Sequence, residues 1–139
     1  MSPNAIFWPL VAQAALTYAI YFLMSRRRIG AIKAGKTKAS VFRENRDEPL
    51  DSLFARNNLA NQFELPVLFF AVVLALHATG AVNYVTVILA WLFVISRYVH
   101  AYFHVTTNRL RTRRPAFIFG FFVLLIMWIW LALRLAGVV

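Results

Sequence analysis

Residues 56–70, RNNLANQFELPVLFF, decide how this chain folds. At about 100° per residue, Asn57, Asn61 and Glu64 fall on one helical stripe with Asn58 and Gln62 beside it, and from Leu65 onward the side chains are almost purely apolar. Such a helix runs from a carboxamide-rich mouth into an oily medium. If that medium is lipid, an isolated carboxylate costs roughly 2.5–3.5 kcal/mol at mid-depth and less near the surface. Glu64 therefore calls for a cation or a ligand from elsewhere in the chain. Pro66, two residues on, has no N–H for the carbonyl of Gln62, so the helix is expected to bend at this level.

Composition identifies the medium. Of 139 residues 61% are hydrophobic and 14% charged, against about 25% charged in soluble domains. Four apolar stretches, 5–24, 59–76, 82–102 and 115–135, have about the ~20 residues that cross a hydrocarbon core, and backbone pairing in lipid makes them helices. The expected fold is all-α: one domain, 1–139, forming a transmembrane four-helix bundle with a loop at 25–57. The absence of cysteine excludes disulfides, a thiolate nucleophile and Cys-ligated metal. Any sulfur chemistry must arrive with a substrate.

A net charge of +10 raises nucleic acid as a partner, but the cations sit in two connectors instead of covering a soluble face. Anionic membrane lipids are the better match, and no nucleic-acid partner is expected. Between the first two spans lie Arg26, Arg27, Arg28, Lys33, Lys36, Lys38, Arg43, Arg46 and Arg56; between the last two lie Arg109, Arg111, Arg113 and Arg114. The connector 77–81 has no Lys or Arg. The positive-inside rule then puts both basic loops in the cytoplasm and both termini on the non-cytoplasmic side of an inner membrane of bacterial type. Positive charge follows the first apolar run and does not precede it, so that run is expected to stay as an anchor. The mixed-charge stretch RENRDEPLD reads as part of a solvated connector.

The third span carries the complement to Glu64. Arg97, His100, His104, Asn108 and Arg111 are spaced 3, 4, 4 and 3 apart and share an arc of about 80° if the helix continues into the loop. Arg97 lies within the span at a depth similar to that of Glu64. A Glu64–Arg97 contact is expected, within one chain or between two, with snorkelling of Arg97 to headgroups as the alternative. His100 and His104 at i, i+4 lack the further ligands of a zinc site or a matching transmembrane haem histidine, so they read as donors and acceptors lining a polar pocket and no metal is expected. Pro115 is placed to open a fourth helix that packs toward lipid.

Four spans, a basic end to the first, Asn61-x-x-Glu64 with a following proline, and Arg97-x-x-His100 near the end of the third resemble the MAPEG family, membrane-associated proteins in eicosanoid and glutathione metabolism. NNLANQFELPVLFF, together with the stretch from Trp91 to His104 and with Asn108, is most similar to its bacterial branch. The likeness covers essentially the whole chain. It implies a homotrimer with glutathione sites between subunits, in which glutathione is the thiol co-substrate and a lipophilic small molecule the second substrate. Asn61 and Glu64 match positions that hold glutathione, and Asn57 stands where the family usually has arginine. Arg97, His100 and His104 match third-helix positions, Arg27 or Arg28 the basic residue of the first helix, and Arg111 or Arg113 the arginine that draws the thiol toward thiolate. The competing reading is a non-enzymatic structural or lipid-binding subunit of a larger membrane complex, with Glu64 and Arg97 merely locking helices together.

Overall fold

The structure, a computed structural model, describes residues 2–44 and 47–138. Asn45 and Arg46 of the mixed-charge stretch lie outside the described residues. A single 3-10 turn, Pro3–Ile6, leads into α1 (Phe7–Lys33); α2 (Val41–Glu44), α3 (Leu50–Asn61), α4 (Leu65–Ala78), α5 (Tyr84–Val105) and α6 (Leu110–Leu135) follow. Among the described residues four segments are long and apolar enough to cross a membrane: Pro3–Lys33, Leu50–Ala78, Tyr84–Val105 and Leu110–Leu135. The protein is an all-helical, multi-pass membrane protein.

Hydropathy locates the spans better than the helix ends. α1 continues nine residues past Met24 to Lys33, because arginine and lysine are good helix formers once the chain leaves the apolar stretch. α3 starts at Leu50, nine residues before the expected 59, and α6 starts at Leu110, so Pro115 lies inside the helix and does not open it. The connector between the first two spans contracts accordingly. It holds α2, a single short helix, and most of its described residues are exposed, as expected of a solvated connector.

The principal core lies among α4, α5 and α6, where Phe69 stacks on Phe93 at 4.5 Å and 17°. Val72, Val73, Leu76, Ala90, Val123, Leu124 and Met127 complete it. One face of α6 is therefore buried, while most of its apolar surface, Phe119, Phe122 and Ile126 included, is exposed as expected of a helix that packs toward lipid. A smaller cluster of Leu16, Ile20 and Ala101 joins α1 to α5 nearer the basic end. Phe22, Leu74, Ile88, Phe122 and Ile129 remain exposed, as suits side chains that meet acyl chains.

The end opposite the basic connectors is closed by short-range geometry. Gly80, at φ 64°, turns the chain out of α4. Asn83 then starts α5 with a capping box: its side chain accepts from the Thr86 N–H at 3.0 Å, and its own N–H donates to Thr86 Oγ1 at 2.9 Å. His77 sits against the Phe7 ring and hydrogen-bonds Asn4 Oδ1 at 3.3 Å, a structural use of that side chain.

α5 and α6 approach closely where Gly120 faces Ser96. A Cβ on Gly120 would collide with Ser96 Oγ, which is held in place by donating to the Phe93 carbonyl at 2.6 Å. Gly120→Ala should therefore destabilise the protein by about 1–2 kcal/mol through overpacking or loss of that hydrogen bond. Adding Ser96→Ala should restore most of the loss, because only ordinary contacts to the Ser96 Cβ at 3.4 Å and the Phe93 Cδ2 at 3.9 Å then remain. Thermal unfolding of both variants in detergent reads the difference; equal stability of Gly120→Ala and wild type would contradict the crossing geometry.

Candidate functional site

The second span breaks where Pro66 withholds its donor. α3 ends at Asn61, Gln62 and Phe63 form a turn, and α4 begins at Leu65 after Glu64 in a non-helical conformation (φ −100°, ψ −108°). The expected bend is thus a full interruption. The N–H groups of Gln62 and Phe63 turn back to Leu59 and Ala60, leaving the Asn61 carbonyl to another partner. That partner is Arg97, whose Nη2 donates to it at 3.1 Å. The guanidinium lies at the carboxyl end of α3, where the helix dipole favours a cation.

Arg97 is 1% exposed, and its Nε and Nη1 are buried without a hydrogen-bond partner. Its guanidinium carbon lies 5.7 Å from the centre of the Phe117 ring, which also flanks His100 at 5.6 Å. Within the protomer Arg97 and Glu64 make no direct ion pair among the described residues, yet Glu64 is near enough for its charge to act on the guanidinium; its side chain is exposed, as is that of Asn57. Two polar side chains on the outer face of a membrane helix leave the protomer's polar surface open.

His100 and His104 stand edge to face at 5.5 Å on the stripe that begins at Arg97. Asn61 Nδ2 reaches His104 Nδ1 at 3.3 Å and His100 Nε2 at 3.5 Å, and Asn58 Nδ2 reaches His104 Nδ1 at 3.3 Å. The stripe stops there. α5 ends at Val105, and Asn108 takes a left-handed conformation (φ 50°), which asparagine tolerates well. Arg111 consequently leaves the stripe and is exposed on the first turn of α6. Arg113 comes in instead: its guanidinium donates to Asn108 Oδ1, and its carbonyl accepts from His100 Nδ1.

The two first-helix candidates are engaged elsewhere. Arg27 donates to the Val105 carbonyl at 2.8 Å and so caps α5. Arg28 grips Glu48 with two bonds, Nε to Oε1 at 2.8 Å and Nη2 to Oε2 at 2.7 Å, and lies over the Phe42 ring. Arg56 adds its charge to the same carboxylate at 3.6 Å. The Glu48 side chain is only 1% exposed, an exception in a stretch where Arg43, Asp47, Leu50 and Asp51 are exposed as a solvated connector requires. Arg28 and Asn57 are therefore not part of the Arg97 cluster. They line a separate open cavity of about 410 Å³ between α1 and α3, with Tyr21, Met24, Arg56 and Phe63 on its walls.

Asn58, Gln62, Gln13 and Phe117 are contributors that stripe counting did not single out. Asn58 and Gln62 flank the Asn57–Asn61–Glu64 stripe but point inward, and Phe117 lies one helical turn beyond Arg113 on α6. Fold and cluster together define a multi-pass helical membrane protein with a buried guanidinium–imidazole–carboxamide site between its second and third spans. The sequence profile of the MAPEG family matches residues 6–133, nearly the whole chain, and the protein belongs to that family. The family includes glutathione transferases and related membrane proteins. Comparison with curated proteins and with solved structures gives no match.

The Glu48 clasp yields a test. Burial opposes ionisation of Glu48, but hydrogen bonds from Arg28 and Ser52 and the charges of Arg28 and Arg56 outweigh it and hold the carboxyl below its ordinary 4.5. A carboxyl depressed in the folded state stabilises the fold above that ordinary value, and the contribution is lost as pH falls through the folded value. Glu48→Gln should lower stability at neutral pH by about 1–3 kcal/mol, less than the ~3–5 kcal/mol of a fully buried broken pair because both arginines keep some water. It should also flatten the loss of stability on acidification below 4.5. Unfolding midpoints of both proteins across that range check the sign.

Proposed function

We propose that this protein is a glutathione-dependent membrane enzyme that activates the thiol of glutathione toward a lipophilic electrophile, in the manner of a transferase or peroxidase. The observation that carries this reading is Arg97: a cation buried at membrane depth, two of its three nitrogens unpartnered, beside two histidines and Arg113. Buried donors of this kind need an acceptor. Glutathione, with two carboxylates, an ammonium and a thiol, supplies what several guanidiniums and one carboxylate lack.

In this reading the outward-facing Glu64 and Asn57 meet ligand and a neighbouring copy, so that a homotrimer closes the cleft between subunits. Glu64 receives the ammonium group, and Asn61 and Arg97 hold the peptide. Arg113 is the thiol-activating arginine in preference to Arg111, because Asn108 and the His100 contact draw it into the cluster. A guanidinium beside a thiol favours the thiolate, whose sulfur forms the new bond as the electrophile's leaving group departs with its electron pair. The electrophile enters from the bilayer, and glutathione from the basic, cytoplasmic end. The Arg28 and Asn57 cavity adjoins this cleft across α3 and suits the peptide's outer carboxylate once Arg28 yields part of its hold on Glu48.

Isothermal titration of the detergent-solubilised protein should show glutathione binding at millimolar concentration or below. Arg113→Ala should lower turnover of an aryl halide with glutathione by about 10²-fold, the scale for losing one preorganised charge-stabilising donor. Arg111→Ala should leave the rate within a few-fold, and both variants should assemble as wild type does. No glutathione binding would remove the enzyme reading and leave a structural membrane subunit, which should copurify with a different partner chain instead of running alone.

A further inference from the structure

The polar groups between α1, α3 and α5 form two hydrogen-bond chains that end on one atom, His104 Nδ1. In the first, Gln13 Nε2 donates to Gln62 Oε1 at 3.0 Å, Gln62 Nε2 donates to Asn58 Oδ1 at 3.0 Å, and Asn58 Nδ2 faces His104 Nδ1 at 3.3 Å. In the second, His100 Nδ1 lies 3.0 Å from the Arg113 carbonyl, and Asn61 Nδ2 lies between His100 Nε2 and His104 Nδ1. Gln13, Asn58, Gln62, His100 and His104 are all buried.

Each chain has a fixed direction, because each contains a backbone carbonyl, and a carbonyl can only accept. The Arg113 carbonyl requires the proton of His100 on Nδ1. In the neutral ring His100 Nε2 is then a lone pair and takes the amino end of Asn61, whose other N–H is left for His104. On the opposite side, Gln62 Nε2 also approaches the carbonyl of Asn58, at 3.5 Å, so its amino end cannot be exchanged for its oxygen without opposing two acceptors. With Asn58 Oδ1 occupied by Gln62, the amino group of Asn58 is turned to His104. Two N–H donors therefore meet on His104 Nδ1. That nitrogen carries no proton, and the ring is neutral with its proton on Nε2.

We propose that Asn58 and Gln62 are positioning residues that hold His104 as the neutral Nε2–H tautomer, making it a hydrogen-bond donor to an anion in the cluster and not a base. The consequence for thiol activation rests on the glutathione reading above: His104 would donate to the thiolate, and the thiol proton would pass to water at the basic mouth. The tautomer itself does not depend on that reading.

The test uses the full-length protein in detergent, labelled with ¹⁵N in its histidine rings. The chain has three histidines, so single replacements His77→Gln and His100→Gln assign the remaining signals. At neutral pH and without glutathione, His104 should show a bare-type Nδ1 resonance and a protonated-type Nε2 resonance. Asn58→Asp keeps an oxygen for Gln62 but places a carboxylate before His104 Nδ1, so a proton should appear on Nδ1. A protonated Nδ1 in the wild type overturns the assignment, and an Nδ1 still bare in a folded Asn58→Asp variant overturns the role of Asn58. If that variant does not fold, the wild-type spectrum still decides. A protein that shows this tautomer yet fails to bind glutathione would lose the proposed reaction and keep the relay, and the reverse pattern would remove the relay alone.

Discussion

The hydrogen bond from Arg97 to the carbonyl of Asn61 is the contact on which the rest of the structure turns. Two groups that are each costly at membrane depth, a guanidinium and a backbone carbonyl released from its helix, satisfy one another. The carbonyl is free because the chain cannot stay helical through Glu64-Leu65-Pro66, and the guanidinium reaches it because α5 passes the broken end of α3. Once that contact is set, helical geometry places the other members: His100 and His104 follow one and two turns along α5, and Asn58 and Asn61 occupy the last turn of α3. The polar cluster is thus a consequence of one interruption in one helix.

Much of this was legible in residue order. The four spans, the disruption near Pro66, the common depth of Glu64 and Arg97 and the paired histidines all follow from hydropathy, 3.6-residue spacing and the missing proline donor. The ends of the helices were not legible, because hydropathy reports where lipid begins, whereas Arg26 to Lys33 continue α1 in water as readily as any good helix former. Nor was the choice between Arg111 and Arg113. Stripe counting favours Arg111 as long as α5 is extended through residue 111, and the left-handed residue that stops it is a backbone event that no periodicity records. Glu64 and Arg97 interact by charge but make no direct ion pair within the protomer, for a related reason: the same break that frees the Asn61 carbonyl leaves the Glu64 side chain exposed.

Charge at the basic end serves several purposes. Arg27 closes the carboxyl end of α5, and Arg28 and Arg56 enclose Glu48 so that α1, α2 and α3 are tied together beyond the lipid. Arg111 and Arg114 remain exposed, as suits contact with anionic headgroups. Counting arginines in a connector therefore overstates how many are free to meet a ligand. What distinguishes Arg97 and Arg113 is that each is hydrogen-bonded by a backbone or carboxamide oxygen and not by a carboxylate; Glu64 acts on Arg97 by charge alone, without a hydrogen bond.

The central claim is that the break after Asn61 seats Arg97 in a polar cleft which the outward-facing Glu64 and a second copy of the chain complete. An electron cryo-microscopy map of the detergent-solubilised assembly, prepared with glutathione, tests this most directly. The account predicts an interrupted second span, Arg97 against the Asn61 carbonyl, and ligand density between copies bounded by Glu64, Arg97 and Arg113. A continuous second helix, or Glu64 directed into acyl chains with apolar side chains filling every interface, would contradict it.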